Sequence, residues 1–300
     1  MVCCGVQVLL RASASAGLAL LQSALPRAAR PSRATQAVAT YSLVLGGPGP
    51  LGGSARSHVL YRNEVRIGRS RNLDDIRRAF GRDLGALIGE HAPRRVFVHA
   101  GVVGFGDGAV LVPGKSLSGK TTLTRALVEA GGTYYSDEFA VLDSRGRVLP
   151  WAEPLSIRRA GSGNAGESHS AESLGLKMGR RSIPILMVVL TQYEPGGRFR
   201  PWPLARGPAI LAVLQHTLSA RRRPRATLNA LTAALAGASV IAGTRDEACE
   251  TAKIIVRRLA RLEVPKQTSL TDRSGPRPGS ALQPATVRAE RRSGLGRNGA

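Results

Sequence analysis

Apolar and polar residues alternate along "TYSLVLGG" (40–47) and "HVLYRNEVRIG" (58–68), with a Gly/Pro-rich loop between them, which predicts two strands. The period then changes. Ile76, Phe80, Leu84, Leu87 and Ile88 recur at helical spacing within 72–92, behind Asn72 as an N-cap and with acidic residues in the first turn. Residues 95–114 read as two strands around the turn Gly106-Asp107-Gly108, and 120–132 as a helix closed by Gly131 and Gly132. "TYYSDEFAVLD" (133–143) is a strand or a strand pair. "SIPILMVVLTQY" (182–193) is uncharged and rich in Val, Ile and Leu, as a strand buried on both faces should be. Helical patterns follow at 208–218, 226–236 and 246–259. The uncharged run 226–244 is long enough to span a bilayer. Thr227, Asn229, Thr232, Gly237, Ser239 and Gly243 interrupt it, so a helix to Ala236, a stop at Gly237 and a buried strand "SVIAG" describe it better. No other segment approaches a transmembrane helix.

Strands alternating with helices over 93–263 predict an α/β domain whose sheet is covered on both faces. A small mixed α+β region precedes it at 38–92. Residues 1–37 are expected to be a disordered or non-native leader: the run 12–26 is uncharged but too short and too interrupted by Ser and Gln for a good secretory signal. From 264 to 300 the composition turns to Gly, Pro, Ser and Arg, which predicts a disordered basic tail.

Charge sharpens this picture. The 300 residues carry 43 Lys and Arg against 20 Asp and Glu, a net charge of +23 that makes nucleic acid or an acidic membrane a partner to consider. Most of the excess falls in residues 1–35, in the arginine-rich stretch 198–225 and in 265–300. Aromatics are only 4% of the chain, too few for a base-stacking platform. Charge facing solvent or substrate is the better reading, and nucleic acid is not expected as a partner. Three cysteines, two of them adjacent at Cys3 and Cys4, build no disulfide framework and fit a reducing, cytoplasmic compartment.

The chemistry concentrates in one segment. Gly114-Lys115-Ser116-Leu117-Ser118-Gly119-Lys120-Thr121 matches the phosphate-loop pattern G-x-x-x-x-G-K-S/T, between an apolar strand and an amphipathic helix. In such a loop, glycines let amide N–H groups converge on phosphate oxygens, and the helix N-terminus adds positive potential. Lys120 would meet the β and γ phosphates and the Thr121 hydroxyl would ligate Mg²⁺; Thr122 adjoins this nucleotide-binding run. Asp137 and Glu138 follow Lys120 by one helix and one short strand, which sets them beside the loop as metal-organising carboxylates; a solvated acidic turn is the competing reading. His99, near the end of an apolar strand, is either a satisfied core histidine or a site residue. His169 and His216 read as structural. No guanine-reading N/T-K-x-D motif and no "LSGGQ"-like signature occurs, which argues against a GTPase switch and a transporter ATPase.

"VHAGVV", "VLVPGKSLSGKTTL", "YYSDEFAVLD" and "PLSIRRAG", in that order and spacing, resemble the catalytic domain of HPr kinase/phosphorylase and its diverse bacterial HPr kinase-like relatives. The resemblance covers about 93–165 well and the rest of the α/β domain loosely. It implies the P-loop fold shared with phosphoenolpyruvate carboxykinase, ATP and Mg²⁺ as cofactors, and transfer of the γ-phosphate to a hydroxyl of a protein or small-molecule acceptor. It also allows for a homo-oligomer. By the same resemblance His99, Asp137 and Arg158 are catalytic, with Thr121, Asp137 and Glu138 at the metal. Thr122 and Ser156 stand where the family has glutamates, which keeps a second reading open: a nucleotide-binding switch or accessory module without kinase activity.

Overall fold

The computed structural model describes residues 1–34, 36–47, 57–115, 118–151, 155–157, 167–169 and 175–263, with backbone alone for 155–157 and 167–169. Residues 264–300, read above as a basic tail, lie outside the described residues, as do Ser116, Leu117 and Arg158.

The architecture is mixed α/β, with two main sheets. The first is five-stranded, in the order β1 (Val2–Cys3), β2 (Val6–Ala12), β3 (Ala39–Val44), β4 (His58–Arg62), β5 (Val65–Ser70). All neighbours are antiparallel except β2 and β3, which run parallel with helix α1 (Ser15–Ser23) in the connection between them. The stretch 58–68 is therefore a hairpin rather than one strand, turning at Asn63 in the left-handed region (φ 52°). Helix α2 (Leu73–His91) begins where the sequence places it: the Asn72 side chain accepts a hydrogen bond from the Asp74 N–H at 2.8 Å. Its face Ile76, Phe80, Leu84 and Ile88 is fully buried, packed with Tyr41, Leu43 and Leu60 from this sheet.

The expectation for residues 1–37 needs correction. Cys3, Val6 and Val8 are buried, β2 pairs with β3 over five residues, and Leu21 of α1 is buried in the same core. Alternate residues of β2 and one face of α1 point inward, and the uncharged run 12–26 spans the end of that strand and the helix.

The second sheet is eight-stranded. Its path is β10 (Val148–Leu149), β9 (Phe139–Leu142), β6 (Val96–Phe105), β7 (Gly108–Pro113), β13 (Ile185–Tyr193), β15 (Ser239–Arg245), β14 (Trp202–Pro203), with β8 (Thr133–Ser136) also paired to β6. A separate two-stranded ladder joins β11 (Leu155–Ile157) to β12 (Glu167–His169). In the main sheet β7, β13 and β15 are parallel, and the remaining pairings are antiparallel. Alternation along the central strands sends Ala109 and Leu111 to one face, against Ala209 and Val213 of α4 (Arg206–Leu214) and Ala230 and Leu231 of α5 (Pro224–Ala234). Val110 and Val112 face the other way, against Leu123 and Leu127 of α3 (Lys120–Glu129) and Ile255 and Leu259 of α6 (Ala248–Glu263). Helices on both faces explain why these strands read as continuous apolar runs. Phe97 and Phe139 of this sheet belong to the same core cluster as α2, so the two sheets share buried surface. Among the described residues no helix is long and apolar enough to cross a membrane; the run 226–244 divides into α5 and β15.

Parallel strands define a polarity. The carboxyl ends of β7, β13 and β15 lie at the same edge of the sheet, where Pro113, Tyr193 and Arg245 end their strands. In open α/β sheets this is the edge at which ligands bind.

Candidate functional site

Gly114 and Lys115 follow the carboxyl end of β7, and Ser118 and Gly119 lead into α3. The Gly114 N–H donates to the His99 carbonyl at 3.2 Å, and the Ser118 N–H to the Lys115 carbonyl at 3.3 Å. Gly119 occupies the N-cap of α3 with φ +76°, a conformation that side chains resist. It also lies against Arg245: a Cβ on Gly119 would fall 2.6 Å from Arg245 Nη2. A glycine is required here for both reasons. Lys120 and Thr121 then sit in the first turn of α3, whose amide N–H groups have no partners within the helix.

Three acidic and basic groups converge on this turn from neighbouring strands. β8 and β9 both pair with β6, and the short turn between them carries Asp137 and Glu138. Ser136 tightens that turn, its hydroxyl accepting from the N–H groups of Glu138 at 3.3 Å and Phe139 at 3.1 Å. The Glu138 carbonyl accepts from the Ala100 N–H. On β6 itself, His99 points into the same space: its Nε2 is 3.3 Å from Lys120 Nζ and 3.3 Å from Glu138 Oε1. A single ring nitrogen cannot serve both contacts in one protonation state. Bare, it accepts from the Lys120 ammonium; protonated, it donates to Glu138.

Burial sets the electrostatics. Lys120 is 5% exposed, and desolvation pulls its ammonium below the usual lysine range against the opposing pull of Glu138 and Asp137. Asp137 is 5% exposed; burial, then the neighbouring Glu138, raises its carboxyl to about 6. Hydrogen bonds from Tyr134 (hydroxyl to Oδ1, 3.0 Å) and Thr121, together with Lys120, oppose that rise. Burial works to raise Glu138 as well, but the His99 hydrogen bond and the charges of Lys120, His99 and Arg82 hold it below the usual glutamate range. The two adjacent carboxyl groups are thus pushed apart: one is readily ionised and the other is poised close to neutrality. Separation of this kind is found where neighbouring acids take different chemical duties.

Of the remaining sequence candidates, Lys115 is exposed and Thr122 is exposed on the outer side of α3. Ser118 and Gly119 contribute backbone, and Ser156 lies in β11. Arg158, Ser116 and Leu117 are outside the described residues.

Three neighbours of the site were not evident from the sequence. Arg245 is 2% exposed; its Nη2 donates to the carbonyls of Gly119 (2.8 Å) and Ser118 (3.3 Å), and its Nε to Thr191 Oγ1 (3.3 Å). It ties the end of β15 to the turn that starts α3. The charge of Arg82 on α2 also acts on Glu138 and helps to hold its carboxyl low. His216, read as structural, accepts the His99 N–H on its carbonyl at 2.7 Å, and burial followed by the charges of His99, Lys115 and Lys120 lowers its imidazole pKa. Underneath, Gly101 admits α3 to the sheet: a Cβ there would stand 2.1 Å from Thr124 Oγ1, a buried hydroxyl without a hydrogen-bond partner among the described residues.

Among the described residues no three His, Cys, Asp or Glu side chains gather as a metal cage. Magnesium held mainly by phosphate oxygens and water needs no such cage, only one or two protein ligands. The contact between the Thr121 hydroxyl and the Asp137 carboxyl supplies a pair of hard oxygen donors side by side, which fits that ion.

No protein-family model matches this chain, and no curated protein matches it significantly in sequence. Among solved structures, it is similar to the HPr(Ser) kinase/phosphatase from Coxiella burnetii, at 12% identity and a TM-score of 0.31, over 56% of this chain and 98% of that one.

Proposed function

We propose that the protein binds ATP with Mg²⁺ at 114–121 and transfers the γ-phosphate to a hydroxyl of a protein or small-molecule acceptor. The observation that carries this reading is the convergence of Lys120, Thr121, Asp137, Glu138 and His99 at the carboxyl end of β7, behind a sequence that matches the phosphate-loop pattern throughout. Desolvation disfavours the Lys120 ammonium even with Glu138 and Asp137 nearby, and a triphosphate would add negative charge that the surrounding amides also suit. Lys120 would turn from His99 to the β and γ phosphates. His99 would then be free to donate Nε2–H to Glu138, which fixes that carboxylate beside the transferred group. Asp137, the group with a pKa near 6, would accept the proton of the attacking hydroxyl or, ionised, share the metal with Thr121. Mg²⁺, when bound, neutralises charge on the phosphates. Arg82, or Arg158 as the family resemblance implies, would stabilise charge that grows on the transferred phosphoryl group.

Arg245 serves as a positioning residue in this scheme. Arg245→Met removes both bonds to the loop carbonyls. The expected result is a KM for ATP at least tenfold higher with a smaller change in kcat, and only partial recovery in Arg245→Lys, because one ammonium cannot reproduce the planar fork. An unchanged KM would remove Arg245 from the account.

A second reading, nucleotide binding without transfer, draws on Thr122 and Ser156, neither of which offers a carboxylate. The fate of the γ-phosphate separates the two. Purified protein given ATP labelled at the γ position should release or transfer label in the wild type and not in Asp137→Ala. Binding without any loss of γ-label in the wild type would favour the non-catalytic module.

A further inference from the structure

A cleft lies at the edge of the large sheet opposite the loop. β6 runs from His99, beside the loop 114–119, to Phe105 at the β6–β7 turn, a span of about 20 Å at roughly 3.3 Å per residue. At that far end a cleft of about 710 Å³ is lined by Gly104, Thr133, Tyr135, Met178 and four cationic side chains, Arg27, Lys177, Arg180 and Arg181.

Its wall is fixed from several sides. The Tyr134 N–H donates to the Lys177 carbonyl and the Gly179 N–H to the Tyr134 carbonyl, both at 2.8 Å, so residues 177–179 run along β8. The Tyr135 hydroxyl donates to the Arg181 carbonyl at 3.0 Å. The Tyr135 ring is 4% exposed and lies beneath two glycines: a Cβ at Gly104 would meet it at 2.8 Å and one at Gly179 at 2.2 Å. The chain carrying Lys177, Arg180 and Arg181 is therefore held in place before any ligand arrives, which lowers the ordering cost of binding. Asp107, in the β6–β7 turn, is paired with Arg181, and both are largely exposed. Among the described residues no carboxylate pairs with Lys177 or Arg180. Exposed ion pairs of the Asp107–Arg181 kind contribute little and yield readily to a better anion.

We infer that this cleft is a binding site for a small polyanion, a phosphorylated or polycarboxylated molecule, separate from the site at 114–121. The volume lies within the range of small-molecule sites, and the lining combines the buried Tyr135 with several basic residues. Because the cleft is at the other end of β6, the ligand does not meet the reacting phosphate. Its binding would instead bear on β8, which leads directly into the turn of Asp137 and Glu138.

The test uses the full chain and two probes, inorganic pyrophosphate for the phosphoryl class and citrate for the carboxylate class, followed by isothermal titration at low and moderate salt. Lys120→Ala supplies a background in which the loop site has lost its ammonium. The expected result is that at least one probe still binds Lys120→Ala protein, that Lys177→Ser/Arg180→Ser weakens this binding at least tenfold, and that added salt weakens it further. Both substituted residues are exposed, and unchanged thermal melting would confirm that the variant folds. Equal affinity with and without the Lys177 and Arg180 side chains would overturn the proposal. So would binding of a DNA duplex, lost in the double variant, with no binding of either small anion. Failure of the loop reading shows up separately, as ATP binding that survives Lys120→Ala combined with Lys177→Ser/Arg180→Ser.

Discussion

Lys120→Ala is expected to abolish ATP turnover, with a loss of at least about 10³-fold, and to weaken ATP binding strongly, because the residue is the one buried ammonium facing the loop among the described side chains. Its effect on the fold should be small or favourable. Lys120 is 5% exposed and its charge is already disfavoured by desolvation, so the free protein loses a strained group rather than a support. Equilibrium binding with ATP, read beside thermal melting, separates the two effects. Lost binding at an unchanged melting temperature is the predicted pattern. Full binding and turnover in the variant would remove the phosphate loop from the account.

Asp137→Asn is expected to reduce phosphoryl transfer by about 10³-fold or more while ATP affinity changes by only a few-fold, since the residue is assigned to the metal and the incoming hydroxyl rather than to the phosphates. It carries a second signature in stability. The folded-state pKa is raised from 3.8 to about 6, so the folded protein holds this proton more tightly than the unfolded chain does. Ionising Asp137 therefore costs stability. The cost is absent below the unfolded value, grows as pH rises toward the folded value and is fully present above it. Asparagine carries no such cost and keeps an oxygen to accept from Tyr134. Above pH 6 the variant should be more stable than the wild type, by an amount up to about 3 kcal/mol at about 1.4 kcal/mol per pKa unit, and the gap should close on acidification. Wild-type activity should correspondingly show an acid limb with a midpoint near 6 if ionised Asp137 is the working form. Chemical denaturation of both proteins at pH 4 and pH 8 measures the first effect. A stability difference that does not change with pH would show that Asp137 is not held near neutrality.

The parts of this fold that were legible in the sequence are those specified locally. The cap and buried face of α2, the Gly106–Gly108 turn between β6 and β7, and the division of 226–244 into helix and strand each follow from a short pattern of side chains. Residues 1–37 were misread because β2 finds its partner in β3, about thirty positions on, and no local period announces a parallel pairing. The acidic turn at Asp137 and Glu138 was visible as residues, but not its cause: two consecutive strands pairing with the same partner, β6, so that the turn between them is carried to the loop. Arg245 gave no sign of itself, since its hydrogen-bond partners lie 126 and 127 positions away. The arginine-rich stretch 198–225 reads in the sequence as charge facing solvent or substrate. Part of it is consumed internally: Arg223 donates to the Pro93 and Arg95 carbonyls, and Arg206 to that of Ala236.

The account rests on a triphosphate seated against the amides at the start of α3, and amide chemical shifts report on that contact residue by residue. In isotope-labelled protein, adding MgATP should shift the amide resonances of Ser118, Gly119, Lys120 and Thr121 far more than those of the basic cleft, whereas adenosine should leave them in place. If MgATP binds and those four resonances do not move, the nucleotide lies elsewhere and the assignment of this site is wrong.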